Sequence, residues 1–310
     1  MNLLFTGGGG AGNGAIWHIL STKYNIYFAD AQINAIDSTI PESRRVSIPF
    51  AFEQKFVSVL QEISDKLSID YLIPGVDEEL LILANSKLDF SSSIFIPSFD
   101  FIKLMLNKYD CANAIINKGL IAPKTRMISK VDELDFPLVV KPKSGRGSRG
   151  VMIVNSQKEL DAYRVLYNTK DKDLIVQELI LGQEYTVLVS ANITGELNSI
   201  IPVKVDQKKG ITIRARIEMN RAVIHYAKEF HKQFRTKGIY NIQCILTDNK
   251  EVFPFEVNPR VSTTFCLSLA AGLNPFEMYL KSNPKEDLFV PASELCLQRN
   301  WFNNIFECIG

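Results

Sequence analysis

The chain has 310 residues, with 35 basic side chains against 34 acidic ones and a net charge of +1. That balance supplies no electrostatic drive toward nucleic acid or an anionic membrane surface. The 46% apolar and 22% charged fractions are those of a soluble globular protein. Length alone allows about two domains, with a core that needs no disulfide or structural metal. Cysteines stand at 111, 244, 266, 296 and 308, and no two have Cys-x-x-Cys spacing. A metal cluster or disulfide framework is therefore not expected, and a reducing compartment is. Met1–Thr6 has no basic n-region, and no apolar run approaches the roughly 20 residues of a membrane span. The expectation is a cytoplasmic protein with no nucleic-acid and no membrane partner.

In chain order the signals fall into three pieces. Residues 1–105 alternate strand and helix. Asn2–Thr6 is an apolar strand, Gly7–Gly14 a glycine-rich turn, and Ala15–Leu20 opens a helix. Asn25–Asp30 and Tyr71–Pro74 are further strands, Phe52–Leu67 carries a helical stripe, and Ile94–Pro97 is a fourth strand. Such alternation predicts an α/β, Rossmann-like parallel sheet covered by helices. Residues 106–180 predict a small α+β unit. A helix ends near Gly119, strands run over Phe136–Lys141 and Val151–Asn155, a helix covers Gln157–Leu166, and Leu174–Glu178 is another strand. Residues 181–310 predict longer antiparallel strands. One hairpin joins Glu184–Ala191 to Leu197–Lys204, Ile211–Glu218 is a strand, with a basic strand Lys208–Arg216 overlapping it, a helix covers Asn220–Phe234, and a second hairpin joins Tyr240–Thr247 to Glu251–Val257. Leu295–Phe306 is amphipathic, with Arg299 and Trp301, and suits a cap or a contact with a second subunit.

Gly7 to Gly12 satisfies G-x-G-x-x-G after a strand, and Asp30 ends the next strand at about the expected offset. One reading is an NAD(P) site serving an oxidoreductase, with phosphate on helix-N-terminal amides and ribose on the acid. The other is a flexible turn close to a different ligand.

Lys141 closes the apolar strand and is followed by Pro142-Lys143-Ser144-Gly145-Arg146-Gly147-Ser148-Arg149-Gly150. Glycines let backbone amides approach a polyphosphate, and a lysine adds a point charge. The loop lacks the Gly-Lys-Ser/Thr ending of a Walker motif. Arg146 and Arg149 also suit a solvated hairpin tip.

Glu256 and Asn258 share a strand face. If Asn249 and Lys250 form the tip of their hairpin, Gln243 stands opposite Glu256, with Cβ atoms about 4.5–5.5 Å apart. Three oxygen-bearing side chains then converge without His or Cys, which suits a hard cation such as Mg²⁺. Arg260 adds a cation nearby. A polar face on an exposed hairpin is the other reading.

In this order the motifs resemble the ATP-grasp superfamily, and within it proteins similar to the carbamoyl phosphate synthase large subunit. The resemblance runs through Pro74-Gly75-Val76-Asp77-Glu78-Glu79-Leu80, Asn107-Lys108-Tyr109, Gly119–Thr125, Val139–Pro142 with its glycine loop, Gln177–Val187, Asn241-Ile242-Gln243 and Phe255–Arg260. It implies a pre-ATP-grasp domain over 1–105, a small lobe with a glycine-rich lid over 106–180, and a large lobe with a metal site over 181–310. ATP would sit between the two lobes. Lys108 and Lys141 would bind its phosphates under Ser144, Gly145, Gly147, Ser148 and Gly150. Gln177, Glu178 and Ile180 would line the adenine, and Glu184 would take the ribose. Gln243, Glu256 and Asn258 would hold Mg²⁺, or Mn²⁺ in its place. Arg260 and Lys141 would act on the transferring phosphate. Gly9, Gly10, Asp77, Glu78, Arg214 and Arg216 are the candidates for binding the second substrate; the two arginines also suit a charged, protected edge strand.

The implied activity is an ATP-dependent carboxylate–amine or carboxylate–thiol ligase working through an acyl phosphate, on small-molecule substrates and in a family where homodimers occur. A nucleotide-binding protein without turnover is the alternative. The chain holds one such unit where the synthase has two. It also has Asp206 where the synthase carries a histidine, so carbamoyl phosphate synthesis is not expected.

Overall fold

A computed structural model describes residues 1–86, 92–281 and 288–300. Of the aromatic-rich C-terminal stretch, residues 301–306, Trp301 among them, lie outside the described residues.

The N-terminal sheet consists of β1 (Asn2–Thr6), β2 (Asn25–Asp30), β3 (Arg45–Ser47), β4 (Tyr71–Ile73) and β5 (Ser93–Ile94). All pairs are parallel and the order is β3-β2-β1-β4-β5. Helices α1 (Asn13–Leu20), α2 (Phe56–Lys66) and α3 (Asp77–Ala84) follow β1, β3 and β4. Leu3, Leu4 and Phe5 of β1 are all buried, as a parallel strand covered on both faces requires. The chain turns from building on one side of β1 to the other at β4. This switch point opens a crevice beyond the carboxyl ends of β1 and β4. The strand expected at Ile94–Pro97 stops at Ile94, and Phe95 and Ile96 are buried beyond it.

Helices α4 (Phe99–Met105) and α5 (Lys108–Asn117) lead to the four-stranded antiparallel sheet of the small lobe. Its strands are β6 (Thr125–Met127), β7 (Leu138–Pro142), β8 (Met152–Val154) and β9 (Leu174–Glu178), in the order β6-β9-β7-β8, with α6 (Gln157–Tyr167) alongside. Leu138, Val140, Val154, Leu160, Tyr163 and Val176 form its core.

The third sheet joins β10 (Gln183–Ala191), β11 (Leu197–Lys209), β12 (Ile211–Ile217), β13 (Gly238–Leu246), β14 (Val252–Asn258) and β15 (Cys296–Gln298), in the order β14-β13-β10-β11-β12-β15. Helix α7 (Arg221–Gln233) and the short α8 (Phe265–Ala270) and α9 (Pro275–Tyr279) accompany this sheet. Alternation divides this sheet. Tyr185, Val187, Ile242, Cys244 and Val257 pack with α4, α5 and α7, through Phe101, Cys111, Ile115 and Phe230. The helix expected to open the small lobe thus packs in the core of the large one. On the other face, Leu188, Ile201, Val203 and Ile217 share a single core with Phe5, Phe28, Tyr71 and Phe95 of the N-terminal sheet and with Phe265, Phe276 and Tyr279.

Two expectations are corrected. The basic segment is not one strand: β11 runs through Lys209, the chain reverses at Gly210 with φ +71, and β12 begins at Ile211. Nor is β12 an edge, because β15 pairs with it along Arg214–Arg216. In the second hairpin the tip is centred on Asn249, with Leu246 opposite Val252. A bulge at Phe255 adds one residue, so Gln243 does face Glu256 and Asn241 faces Asn258.

Candidate active site

Two cavities meet at the glycine loop. The smaller, about 260 Å³, lies between the lobes. Val139 and Ile153 form one apolar wall, Ile245 and Phe255 the other, and Leu179 and Ile180 close the side. Its opposite end is ionic, with Lys108, Lys141, Lys208, Glu184 and Glu256. An apolar slot with a cationic end is complementary to the flat base and anionic phosphates of a nucleotide.

Lys141 is the most constrained of these groups. It is 4% exposed, its Nζ donates to Gln177 Oε1 at 2.8 Å, and it crosses to the large lobe to reach the Phe255 carbonyl at 3.1 Å. The bulge that restores the hairpin register also turns that carbonyl toward the lysine. Burial pulls the ammonium down to about 8, partly offset by Glu256 and reinforced by Lys108 and Lys208. Gln177, expected against adenine, lines the cavity but spends its amide on structure: Nε2 donates to Thr125 Oγ1 at 2.7 Å while Oε1 holds Lys141.

Asn107 caps α5 by accepting from the Tyr109 and Asp110 amides, which fixes Lys108 at the first turn. Lys108 Nζ donates to Gly145 O at 2.6 Å and lies 3.2 Å from Glu256 Oε1. Ser144, Gly145 and Ser148 line the smaller cavity, and Gly147 and Ser148 the larger. Gly150 lines neither; its φ of +68 makes a turn and its carbonyl accepts from Tyr163 Oη at 2.7 Å. Glu178 and Ile180 line the smaller cavity. Glu178 also accepts from the Lys124 amide at 2.8 Å.

Lys208 had no individual role in the sequence reading. Its Nζ lies 2.5 Å from Glu184 Oε1 and 3.3 Å from Gln243 Oε1. The signal available was Gly210: a reversal there sends alternate residues of Val205–Lys209 toward the site.

The larger cavity, about 720 Å³, fills the switch-point crevice and extends to β13 and β14. Gly9, Gly10, Glu78, Gln243, Glu256, Asn258 and Arg260 all line it. The Gly9 amide donates to Asp30 Oδ2 at 2.9 Å and the Gln32 amide to Oδ1 at 2.9 Å, so main chain engages both oxygens of the acid once considered for a ribose. Asp77 pairs with Arg260 Nε, and Glu78 lies 3.3 Å from Arg146 Nε. Asn241, fully buried, donates to the Arg260 carbonyl at 2.9 Å and accepts from Asn258 Nδ2 at 3.3 Å. It positions both residues; the sequence reading held it in the motif with Gln243 but gave it no role, because its partners lie across the hairpin. Glu79 is 5% exposed and accepts from Thr6 Oγ1; burial raises its carboxyl to about 8.

Arg214 and Arg216 line neither cavity. Arg216 instead meets Asp206 Oδ1 at 2.8 Å and Glu218 at 3.8 Å. The expected carboxylate clamp is not assembled at the site, because the hairpin turns these side chains away. Of the histidines left without a role, His231 is buried between Tyr240 Oη and Gly195 O, and burial lowers its pKa. Arg299, at the end of the β15 segment, donates to the carbonyls of Thr212, Ala11 and Thr263.

An ATP-grasp domain family matches residues 105–264. The chain belongs to the ATP-grasp superfamily. It is similar to the formate-dependent phosphoribosylglycinamide formyltransferase of Prochlorococcus marinus, at 24% identity over 81% of this chain and 70% of that protein. It is 23% identical to the arginine-specific carbamoyl phosphate synthase large chain of Bacillus subtilis, over 80% of this chain and 26% of that one. Carboxyaminoimidazole ribonucleotide synthase from Aspergillus clavatus, solved with ATP, superposes with a TM-score of 0.66 at 17% identity, over 90% of this chain and 79% of that one. The parallel N-terminal sheet followed by antiparallel ATP-grasp lobes is the architecture of such structures. The G-x-G-x-x-G turn therefore belongs to the first domain of an ATP-grasp protein.

ATP-grasp relatives use a divalent cation, and the donor set here can be tested against one. Among the described residues no group of three or more His, Cys, Asp or Glu could hold a metal. Gln243, Glu256 and Asn258 offer one carboxylate and two amides, and two of their oxygens already face ammonium groups. Oxygens that collect cations, in a set too sparse to cage one, fit Mg²⁺ completed by nucleotide phosphates and water.

Proposed function

We propose that this chain is an ATP-dependent carboxylate–amine ligase acting through an acyl phosphate, with a thiol as the alternative acceptor. One observation carries the reading: Arg146, Ser148, Arg149, Lys208 and Glu256 line both cavities. The cationic end of the nucleotide slot is thus a wall of the larger chamber, so a terminal phosphate there meets whatever the chamber holds.

A carboxylate cannot expel oxide, and phosphorylation supplies a leaving group. A carboxylate oxygen attacks the γ-phosphorus of ATP, the P–O bond to ADP breaks, and an acyl phosphate forms. The amine nitrogen then attacks the acyl carbon, phosphate departs with the C–O bond electrons, and the nitrogen gives up a proton. The protein contributes orientation and charge. Lys108 and Lys141 hold phosphate oxygens. Arg260, oriented by Asp77 and by the Asn241 contact to its carbonyl, faces the transferring group. Gln243, Glu256 and Asn258 would hold Mg²⁺, which when bound would supply neutralisation of phosphate charge. The glycine loop excludes water, so the acyl phosphate meets the acceptor first.

The test is ADP release by the purified chain with ATP, Mg²⁺ and matched pools of carboxylates and amines. Release that requires both supports the reading. Glu256→Gln is expected to lower it by roughly 10²–10³; unchanged turnover and Mg²⁺ dependence would remove the metal assignment. Tight ATP binding with no ADP from any pool would favour a nucleotide-binding protein without turnover.

A further inference from the structure

The loop between β3 and α2 brings Phe50 and Phe52 to the wall of the larger cavity. Their rings stack, with centroids 5.3 Å apart and planes 8° from parallel. They are nevertheless 44% and 84% exposed, and Phe52 is the most exposed large apolar side chain among the described residues. Leaving a phenylalanine in water forgoes the stabilisation that its burial would return. Local bonds hold the pair in place: the Phe50 amide donates to Glu53 Oε1 at 2.8 Å, the Glu53 amide to Phe50 O at 2.9 Å, and the Phe56 amide to Glu53 O at 3.0 Å. Ile48, just before them, is anchored in the N-terminal core. An aromatic step on a fixed loop, facing a cavity and left largely open by the described residues, is a surface prepared for an apolar ligand group.

The charges of the cavity give that ligand a direction. Asp30 and Glu78 line the N-terminal side, with Glu78 3.3 Å from Arg146 Nε, while Arg146, Arg149 and Lys208 line the side shared with the nucleotide slot and Arg260 lines the larger chamber alone. At about 720 Å³ the chamber is far larger than ammonia or a one-carbon acid needs. We propose that the acceptor is an amine carrying an aromatic ring or similarly flat apolar group, which lies against the Phe50–Phe52 stack. The amine is then held on the acidic side, within reach of an acyl phosphate at Arg260. Calling the ligand the acceptor rests on the ligase reading; its binding does not.

Two probe pairs of matched charge test this without turnover: 2-phenylethylamine against ethylamine, and L-phenylalaninamide against L-alaninamide. Phe52→Trp places a reporter on the wall, with the wild-type chain as fluorescence background. Saturable change with the aromatic member of a pair, at concentrations where its aliphatic partner gives none, is expected. Calorimetry should show the Phe50→Ala/Phe52→Ala variant binding the aromatic probes roughly tenfold or more weakly, as loss of ring contacts predicts, with ATP binding unchanged as the control for folding. Equal binding of aromatic and aliphatic probes, no binding of either aromatic probe, or full affinity in the double variant overturns the proposal. So does a change in particle mass by light scattering on removing the rings, which would assign them to an interface between copies. ADP release with aliphatic amines that ignores the double substitution removes this inference and keeps the ligase; aromatic probes bound at the wall with no ADP from any carboxylate do the reverse.

Discussion

Lys141 and Phe255 join the two lobes through one hydrogen bond, from the ammonium of a small-lobe strand to the carbonyl of a bulged residue in the large lobe, at 3.1 Å. The same ammonium faces the nucleotide slot, so the charge expected on ATP also spans the cleft.

ATP affinity should therefore depend on pH through Lys141. Burial depresses its pKa from 10.5 to about 8, with Glu256, Lys108, Cys111 and Lys208 as the charged or titratable neighbours. The group is cationic below about pH 8 and neutral above it. Calorimetric ATP affinity is expected to fall as pH rises through 8, and the fall should vanish in Lys141→Met, which binds more weakly throughout. The stability consequence has the opposite sign. Between about pH 8 and 10.5 the unfolded chain binds the extra proton, so Lys141 contributes stability that rises with pH across that window.

Gln177 should matter as a positioning residue. Gln177→Leu leaves Thr125 and Lys141 without its amide, inside a buried site. A stability loss of about 1–3 kcal/mol is expected in urea denaturation, together with weaker ATP binding. Gln177→Glu should restore the acceptor for Lys141 and recover more of the ATP affinity than of the stability.

Glu79 sets a second pH dependence. Its carboxyl is raised from 4.5 to about 8 by burial, with Thr6 opposing and with Asp30, Glu78 and Arg146 as its charged neighbours. A raised carboxyl means the folded chain holds the extra proton. The stability this gives is complete below about pH 4.5 and is lost progressively as pH rises to about 8. Glu79→Gln, neutral at every pH, should flatten the thermal-stability profile between pH 5 and 8 relative to the wild-type chain.

Gly238 opens β13 with φ +81, and a Cβ there would lie 2.6 Å from the Ile96 carbonyl oxygen. Gly238→Ala is expected to cost at least about 1–2 kcal/mol from the left-handed conformation alone, with more from displacing the Ile96 main chain. Urea midpoints measure this.

Local pattern accounts for what could be read in advance. Val139-Val140-Lys141 announced itself as an apolar run ended by a charge, and the two-residue period placed Glu256 and Asn258 on one face. The pairing of Gln243 with Glu256 was anticipated from a tip displaced by one residue; the Phe255 bulge, a main-chain feature with no side-chain signal, restored the register. Contacts that depend on the third dimension stayed hidden. Asp77 and Arg260 are 183 residues apart. Lys208 looked like one of several basic residues until the Gly210 turn separated it from Arg214 and Arg216. The burial of Cys111 and Ile115 beneath the large sheet followed from packing, which periodicity alone does not assign.

The apolar face shared by the first and third sheets has a practical consequence for dissecting the molecule. Phe265, Phe276 and Tyr279 are covered by Phe5, Tyr71 and Phe95. A fragment trimmed to the family-matched segment would leave Leu188, Ile201 and Ile239 bare. Such a fragment should precipitate rather than fold, so the two ATP-grasp lobes and the larger cavity are inherited as one piece.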